Sequence, residues 1–262
     1  MSTPVPPPVG DPAALFRLDG QVALVTGASS GLGARFARVL AAAGARVALT
    51  ARREGQLKEV AAHCPDSLAV PCDVTLPEDR ERLVATVAEH FGRIDVLVNN
   101  AGSSRVVPAE QERPEAFAGL VDVNLTSVFA LSRLVGERML AQGSGTIVNI
   151  ASIYGLVASG TLPQAAYAAS KGGVVSLTRE LAAQWARRGV RVNAICPGWF
   201  RSELTADMLD TESGRRWITQ RTPMGREGTL DELDGALLYL ASRASSYVTG
   251  TAVPVDGGYT SI

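Results

Sequence analysis

From Gln21 onward, short apolar runs alternate with longer stretches in which apolar residues recur every three or four positions. The short runs lie at 22–26, 47–51, 68–74, 94–98, 146–151, 190–196 and 252–255. They are almost continuously apolar, the signature of strands covered on both faces. Between them, Leu32, Phe36, Val39, Leu40 and Ala43 keep the spacing of one buried helical stripe, as do Leu83, Val84, Val87, Ala88 and Phe91. Longer helices are predicted over 114–141, from Phe117, Leu120, Val121, Val128, Leu131 and Leu134, and over 164–188, from Val174, Leu177, Leu181 and Trp185. Strictly alternating strand and helix predicts an α/β fold: a Rossmann-like doubly wound sheet of seven parallel strands, with helices on both faces in three layers.

One segment breaks this rhythm. Residues 198–230 are too long for an ordinary loop, yet hold short amphipathic pieces near 204–209 and 215–220, so a substrate lid is expected there. The proline-rich residues 1–12 read as a flexible tail, and 13–262 as a single catalytic domain, a common length for one doubly wound core.

Composition narrows the partners. Apolar residues make up 46% and charged residues 19%, an ordinary globular balance. The net charge of −1 offers no basic field for nucleic acid or an anionic membrane, so neither is expected as a partner. No run of about 18 consecutive apolar residues and no secretory leader pattern is seen, which predicts a soluble, cytoplasmic protein. Cys64, Cys72 and Cys196 form an odd set without a CxxC pair and read as small core residues in a reducing compartment. His63 and His90 fall in no motif, so neither a metal site nor a Ser-His-Asp relay is expected.

The first strand runs into TGASSGLG, which places Gly27, Gly31 and Gly33 at a strand-to-helix turn. Glycines let the backbone turn sharply and approach a ligand, and the helix N-terminus offers free N–H groups to a diphosphate. Such a turn can also be merely structural. Its TGxxxGxG spacing differs from the GxGxxG of other dinucleotide folds. Asp73 and the NNAG at 99–102 follow at the ends of the third and fourth strands, where an adenine nucleotide would extend.

With these motifs, Asn124, Ser152, YAASK at 167–171, PG at 197–198 and VDGG at 255–258, the sequence resembles the short-chain dehydrogenase/reductase family over residues 18–258. The resemblance implies an NAD(P)(H)-dependent oxidoreductase that transfers a hydride between nicotinamide and a ketone or secondary alcohol. It implies that the loop residues Ser29, Ser30 and Leu32 lie with the glycines at the diphosphate, and that Asp73 and Val74 meet the adenine. Asn100, Ala101 and Gly102 would pass beside the ribose. Pro197 and Gly198 would also contact the cofactor, and the Phe200 backbone and Ser202 would hold the carboxamide. Cofactor choice should be set at the end of the second strand, where Ala51 is followed by Arg52 and Arg53. With no acid there to bond a ribose 2′-OH, and guanidiniums able to clamp a phosphate, NADP(H) is expected over NAD(H). The alternative is two solvated arginines opening a surface helix.

Hydride transfer to a carbonyl leaves an alkoxide that needs a proton, and Tyr167 is the weak acid expected to supply it. A free phenol titrates near pH 10, so working near pH 7 asks for a depression of about 3 units. Lys171, four residues on and on the same helical face, is expected to supply much of it and also to bond the ribose. Only Lys58 and Lys171 are lysines among 25 basic residues, which makes the choice of a compact ammonium at 171 informative. Ser152 follows the fifth strand, where a hydroxyl can donate to the substrate oxygen; alone it could be a cap. Asn124 sits in a helical stretch that suits it poorly, and the resemblance implies that it holds a water leading from Lys171. A buried, satisfied amide is the alternative.

Ser152 and Tyr167 are fifteen apart, about two more than the family commonly shows, which places an insertion within 156–163. Substrate-facing candidates are Ser103, Ser104, Arg105, Ile153, Tyr154, Leu162, Trp199, Leu204, Met208 and Trp217, with Arg105 or Arg201 able to anchor an acidic group. These favour a medium-sized, partly apolar ketone or alcohol. Two rival functions stay open. A 3-oxoacyl thioester (carrier-protein) reductase would need a basic surface, hinted at only by Arg187 and Arg188. A non-catalytic dinucleotide-binding regulator would be expected to have lost Tyr167 or Lys171. The two long helices and the apolar C-terminus suggest a homotetramer, with a dimer second.

Overall fold

Seven strands hydrogen-bond into one parallel sheet: β1 Val22–Thr26, β2 Arg46–Ala51, β3 Leu68–Pro71, β4 Val96–Asn99, β5 Gly145–Ile150, β6 Val190–Pro197 and β7 Ala252–Val255. Their order in the sheet is β3-β2-β1-β4-β5-β6-β7. The computed structural model describes residues 10–262. Alternate strand residues bury on opposite faces. Ala23, Val25, Val47 and Leu49 pack with Phe36 and Leu40 of α1 (Gly31–Ala42), Leu57 of α2 (Glu54–Ala61), and Leu237 and Leu240 near the C-terminus. Val22, Leu24, Ala48 and Leu97 pack instead with Leu83 and Val87 of α3 (Pro77–Phe91) and with two longer helices. A sheet buried on both faces favours apolar residues pointing both ways, which is why these strands show no regular polar alternation.

The strand order reverses between β1 and β4, so the connections diverge there and leave a crevice at the carboxyl ends. Two predicted strands end early or begin late for polar reasons. β3 stops at Pro71 rather than 74, because the Asp73 N–H turns to the Asp79 carboxylate at 2.7 Å and the Asp73 carboxylate accepts from the Thr75 N–H. β4 begins at Val96 rather than 94, since the buried Asp95 carboxylate pairs with Arg93 and accepts from the Val22 N–H at 2.9 Å.

The helix predicted over 114–141 is three pieces: α4 Pro114–Val121, a π-helical turn Asp122–Thr126, and α5 Ser127–Gln142. By length and composition, with a mean hydropathy of 1.3, Pro114–Gln142 could cross a membrane. In the fold, its Leu131, Val135 and Met139 are buried against the sheet. The following helix, α6, runs Ala165–Trp185.

Of the tail expected at 1–12, residues 1–9 lie outside the described residues. From Asp11 the chain is built: its carboxylate accepts from the Ala13 N–H and caps a 3₁₀ turn at Pro12–Phe16. The excursion after β6 carries α7 (Ala206–Leu209) and α8 (Glu212–Arg221), then α9 (Asp234–Ala241) returns to the sheet. Its two ends are pinned together, with the Gly228 N–H donating to the Trp199 carbonyl at 2.8 Å.

Candidate active site

The turn from β1 to α1 is built by close approach. Gly27 has φ +65°, and a Cβ there would lie 2.9 Å from both the Ala101 Cα and the Asn100 Nδ2. A Cβ on Gly33 would come within 2.2 Å of the Gly27 carbonyl oxygen. Gly33 therefore lets the helix seat against the turn and does not itself line the cavity. Ser30 is the N-cap of α1, yet its side chain makes no capping hydrogen bond, so the first N–H groups of the helix are left without a side-chain partner.

From this turn a cavity of about 660 Å³ runs along the carboxyl edge of the sheet. Its walls include Gly27, Ser29, Ser30, Gly31 and Leu32, then Arg52, Arg53, Asp73 and Val74. Asn100, Ala101 and Gly102 continue the wall from β4, Ser152, Tyr167 and Lys171 come beyond β5, and Pro197, Gly198, Phe200 and Ser202 follow β6. Every expected cofactor residue except Gly33 is thus on one surface. β2 and β5 are three strand spacings apart, roughly 14 Å, enough to lay an adenine and a nicotinamide at opposite ends. A dinucleotide fits what these residues offer: a backbone cradle that a single Cβ would fill, an uncapped helix N-terminus, and an acid at one end.

The two asparagines of NNAG face opposite ways, as strand neighbours must. Asn100 Nδ2 donates to the Thr26 carbonyl at 2.9 Å, while the Asn100 and Ala101 N–H groups both donate to Thr26 Oγ1 at 2.9 Å. Asn99 turns into the protein, donating to Ser132 Oγ and Asn149 Oδ1. At the far end, the Thr75 backbone N–H, together with its hydroxyl, holds the Asp73 carboxyl below the usual carboxylate range.

At the β5 end, Ser152 Oγ accepts from the Tyr154 N–H at 3.1 Å. Tyr167 stands on the first turn of α6 and shares a small cluster with Ile153, Tyr154 and Tyr259. Lys171 lies one turn on, 4% exposed, with Nζ donating to the Ile150 carbonyl at 2.7 Å and lying 5.8 Å from the centre of the Tyr167 ring. Burial pushes the Tyr167 phenol upward, although the Ser152 hydroxyl pulls it the other way. Burial also lowers Lys171 to about 8. Desolvation favours the neutral form of both groups.

Asn124 does not reach the cavity. Its Nδ2 donates to the Ser103 carbonyl at 2.9 Å and Ser170 Oγ at 3.1 Å, and its Oδ1 accepts from the Ser103 N–H at 2.9 Å. The amide is spent on pinning the loop after β4, which matches the satisfied-amide alternative; the π-helical turn aims it there. The long spacing from Ser152 to Tyr167 leaves both on the same cavity. The extra residues are taken up in a loop whose Pro163 carbonyl accepts from the Val107 N–H at 2.9 Å.

Of the substrate-facing candidates, Ser103 and Leu204 line the cavity, whereas Ser104, Arg105, Ile153, Tyr154, Leu162, Trp199, Met208 and Trp217 are not among its walls. Ile153 and Tyr154 are buried at 2% and 6% exposure. Trp199 packs edge-on to Tyr154 at 6.2 Å and to Trp217 at 5.9 Å, forming an aromatic run from β5 to α8. Arg201 is no open anchor, since it pairs with Asp210 and lies 3.8 Å from Glu227. Thr75, Glu203 and Thr205 also line the cavity and were not among the expected site residues. Thr26, the T of the glycine motif, holds the Asn100 and Ala101 backbone behind it.

A family model described as Enoyl-(Acyl carrier protein) reductase matches residues 27–260. The chain is 42% identical to galactitol 2-dehydrogenase (L-tagatose-forming) of Cereibacter sphaeroides, over 94% of this chain and 97% of that one. It is 40% identical to gluconate 5-dehydrogenase of Gluconobacter oxydans, again over 94% and 97%. Among solved structures, a gluconate 5-dehydrogenase from Burkholderia cenocepacia in complex with NADP and tartrate superposes with a TM-score of 0.90 at 38% identity, over 95% of this chain and 98% of that one. A doubly wound sheet whose glycine turn, acid and Ser-Tyr-Lys group share one cavity defines a dinucleotide-dependent oxidoreductase. The chain belongs to the short-chain dehydrogenase/reductase family. It is an NAD(P)(H)-dependent enzyme acting on small-molecule alcohols and ketones, and this reading is favoured over the thioester-reductase and regulator alternatives.

Proposed function

We propose that the enzyme interconverts a secondary alcohol of a polyol or sugar acid with the corresponding ketone, using NADP(H) in preference to NAD(H). One observation carries this reading: Ser152, Tyr167 and Lys171 wall one end of a cavity whose other end holds Arg52, Arg53 and Asp73. When bound, the nicotinamide supplies or accepts the hydride. Tyr167 gives its phenolic proton to the substrate oxygen in reduction and takes it back in oxidation. Ser152, its own lone pair held by the Tyr154 N–H, is left with its hydroxyl proton to donate to that same oxygen. Lys171 keeps two N–H donors beyond the one bonded to Ile150, and its charge favours the phenolate. Asn124 acts through the Ser103 loop as a positioning residue.

The substrate class is supported by the galactitol and gluconate dehydrogenases, which match nearly end to end, and by the hydroxyls of Ser103 and Ser152 among the cavity walls. Assayed with both nicotinamides, the enzyme is expected to oxidise galactitol, gluconate or D-threitol more efficiently than it reduces a 3-oxoacyl thioester. The reverse ranking would replace this reading with the thioester one.

The NADP(H) preference is supported by Ala51 standing where an acid would otherwise repel a 2′-phosphate, next to two arginines on the cavity. Arg52→Glu is expected to raise KM for NADPH at least about tenfold, the worth of one charge-assisted contact, and to leave KM for NADH nearly unchanged. Equal effects on both would refute the assignment. We also propose a homotetramer, with a dimer second, on the strength of exposed Phe117 and Phe129 on α4 and α5 and Ile262 at the C-terminus. The cytoplasm is the proposed location, and the excursion at 198–230 the proposed substrate lid.

A further inference from the structure

The Arg53 guanidinium joins three segments far apart in the chain. Its Nη2 donates to Ser30 Oγ at 2.8 Å and Ser29 Oγ at 3.3 Å, in the glycine turn. Nη1 and Nη2 also donate to the two carboxylate oxygens of Glu203, at 3.2 and 3.0 Å. Glu203 comes from the start of the excursion after β6, so this fork-to-fork pair links the end of β2 to the lid. All four side chains line the cavity. The pairing holds the Glu203 carboxyl below its usual range. The donor set gathered around this carboxylate, a guanidinium fork with two hydroxyls beside an uncapped helix N-terminus, is one that suits a phosphate.

We propose that Glu203 is a resident anion in the ribose 2′-phosphate subsite: NADP(H) must displace it from Arg53, whereas NAD(H) leaves the pair in place. The inference rests on the assignment of the two arginines to NADP(H). Glu203 thereby tempers the discrimination that Arg52 and Arg53 create, and makes the choice of cofactor felt by the lid. Displacement is feasible because both side chains are exposed, at 48% and 61%, where an exchanged ion pair is worth little. A phosphate carries more charge than a carboxylate and more acceptor oxygens, so it wins the exchange without abolishing it.

The test is fluorescence titration of NADPH and NADH into the wild type, Glu203→Gln and Arg53→Gln, with the fold of each variant checked by circular dichroism. Glu203→Gln should tighten NADPH roughly three- to tenfold, the span of a modest charge pair plus the removed repulsion, and move NADH by less than about twofold. Arg53→Gln should weaken NADPH selectively. If Glu203→Gln shifts both cofactors alike, Glu203 competes with the diphosphate common to both, and the inference is overturned. If Arg53→Gln weakens NADPH selectively while Glu203→Gln changes neither Kd, the inference fails and the NADP(H) reading stands. If the wild type prefers NADH and neither variant alters NADPH binding, both fail together.

Discussion

Tyr167→Phe is expected to lower turnover by roughly 10²- to 10⁴-fold, the range that loss of a positioned general acid commands. NADPH binding should persist, with Kd within about twofold of the wild type. The substitution removes one oxygen and leaves the ring, which packs with Ile153, Tyr154 and Tyr259, so the cluster beside β5 keeps its shape. What is lost is the phenolic proton itself. Tyr154 offers no replacement: its hydroxyl is buried 3.5 Å from that of Tyr259, and its own pKa is pushed up by that burial. Ser152 has a proton but is too weak an acid to give it up. Single-turnover hydride transfer followed by NADPH absorbance, beside a binding titration, separates the two effects. A residual rate within about tenfold of the wild type would remove Tyr167 from the chemistry.

The parts of this molecule legible in the sequence are those made by neighbours in the chain. The glycine turn, NNAG and the Tyr-Lys pair are short motifs whose geometry follows from one strand end or one helical turn, and all reach the same cavity. The seven parallel strands were also legible, because continuous apolar runs separated by helices leave few ways to bury both sheet faces. What escaped were contacts closed by folding. Asn124 looked misplaced in a helix, and only the π-helical turn with the Ser103 backbone opposite shows where its amide goes. Glu203 is an ordinary exposed acid until the sheet brings β6 beside the glycine turn and sets it on Arg53. The same holds for Arg191, a half-buried guanidinium with no carboxylate partner among the described residues, whose donors go to Ser245 Oγ and to the carbonyls of Leu240, Ser242 and Val248. Spacing places Lys171 on the same face as Tyr167, but the Ile150 carbonyl that takes one of its N–H groups is seen only in the fold.

Lys171→Met is expected to cost roughly 10²- to 10³-fold in turnover, the range seen when one preorganised charge or donor is removed beside a reacting oxygen. Its pH behaviour separates it from any loss of packing. Burial lowers Lys171 from 10.5 to about 8, and a nearby thiol, Cys196, itself raised to about 11, stays neutral there. Wild-type reduction should therefore fall as pH rises through about 8, when the ammonium loses its proton, and the methionine variant should lack that inflection. Stability moves the opposite way. Between about 8 and 10.5 the unfolded chain still holds a proton on Lys171 that the folded protein has released, so stability rises with pH across that window. The charge thus costs the native state about 3 kcal/mol below pH 8, and the cost fades by pH 10.5. Tyr167, whose folded value is raised, acts only above the ordinary phenol range near pH 10 and in the opposite sense, because there the unfolded chain is the one that has lost its proton. The stability difference between Lys171→Met and wild type, measured by denaturant titration, should accordingly shrink in the variant's disfavour by about 3 kcal/mol from pH 7 to 10.5. A flat difference, with the kinetic inflection intact in the variant, would show that the ammonium carries neither the proton nor the cost. On the proposed function, that cost is what the reaction asks of the fold for a cation held beside the phenol.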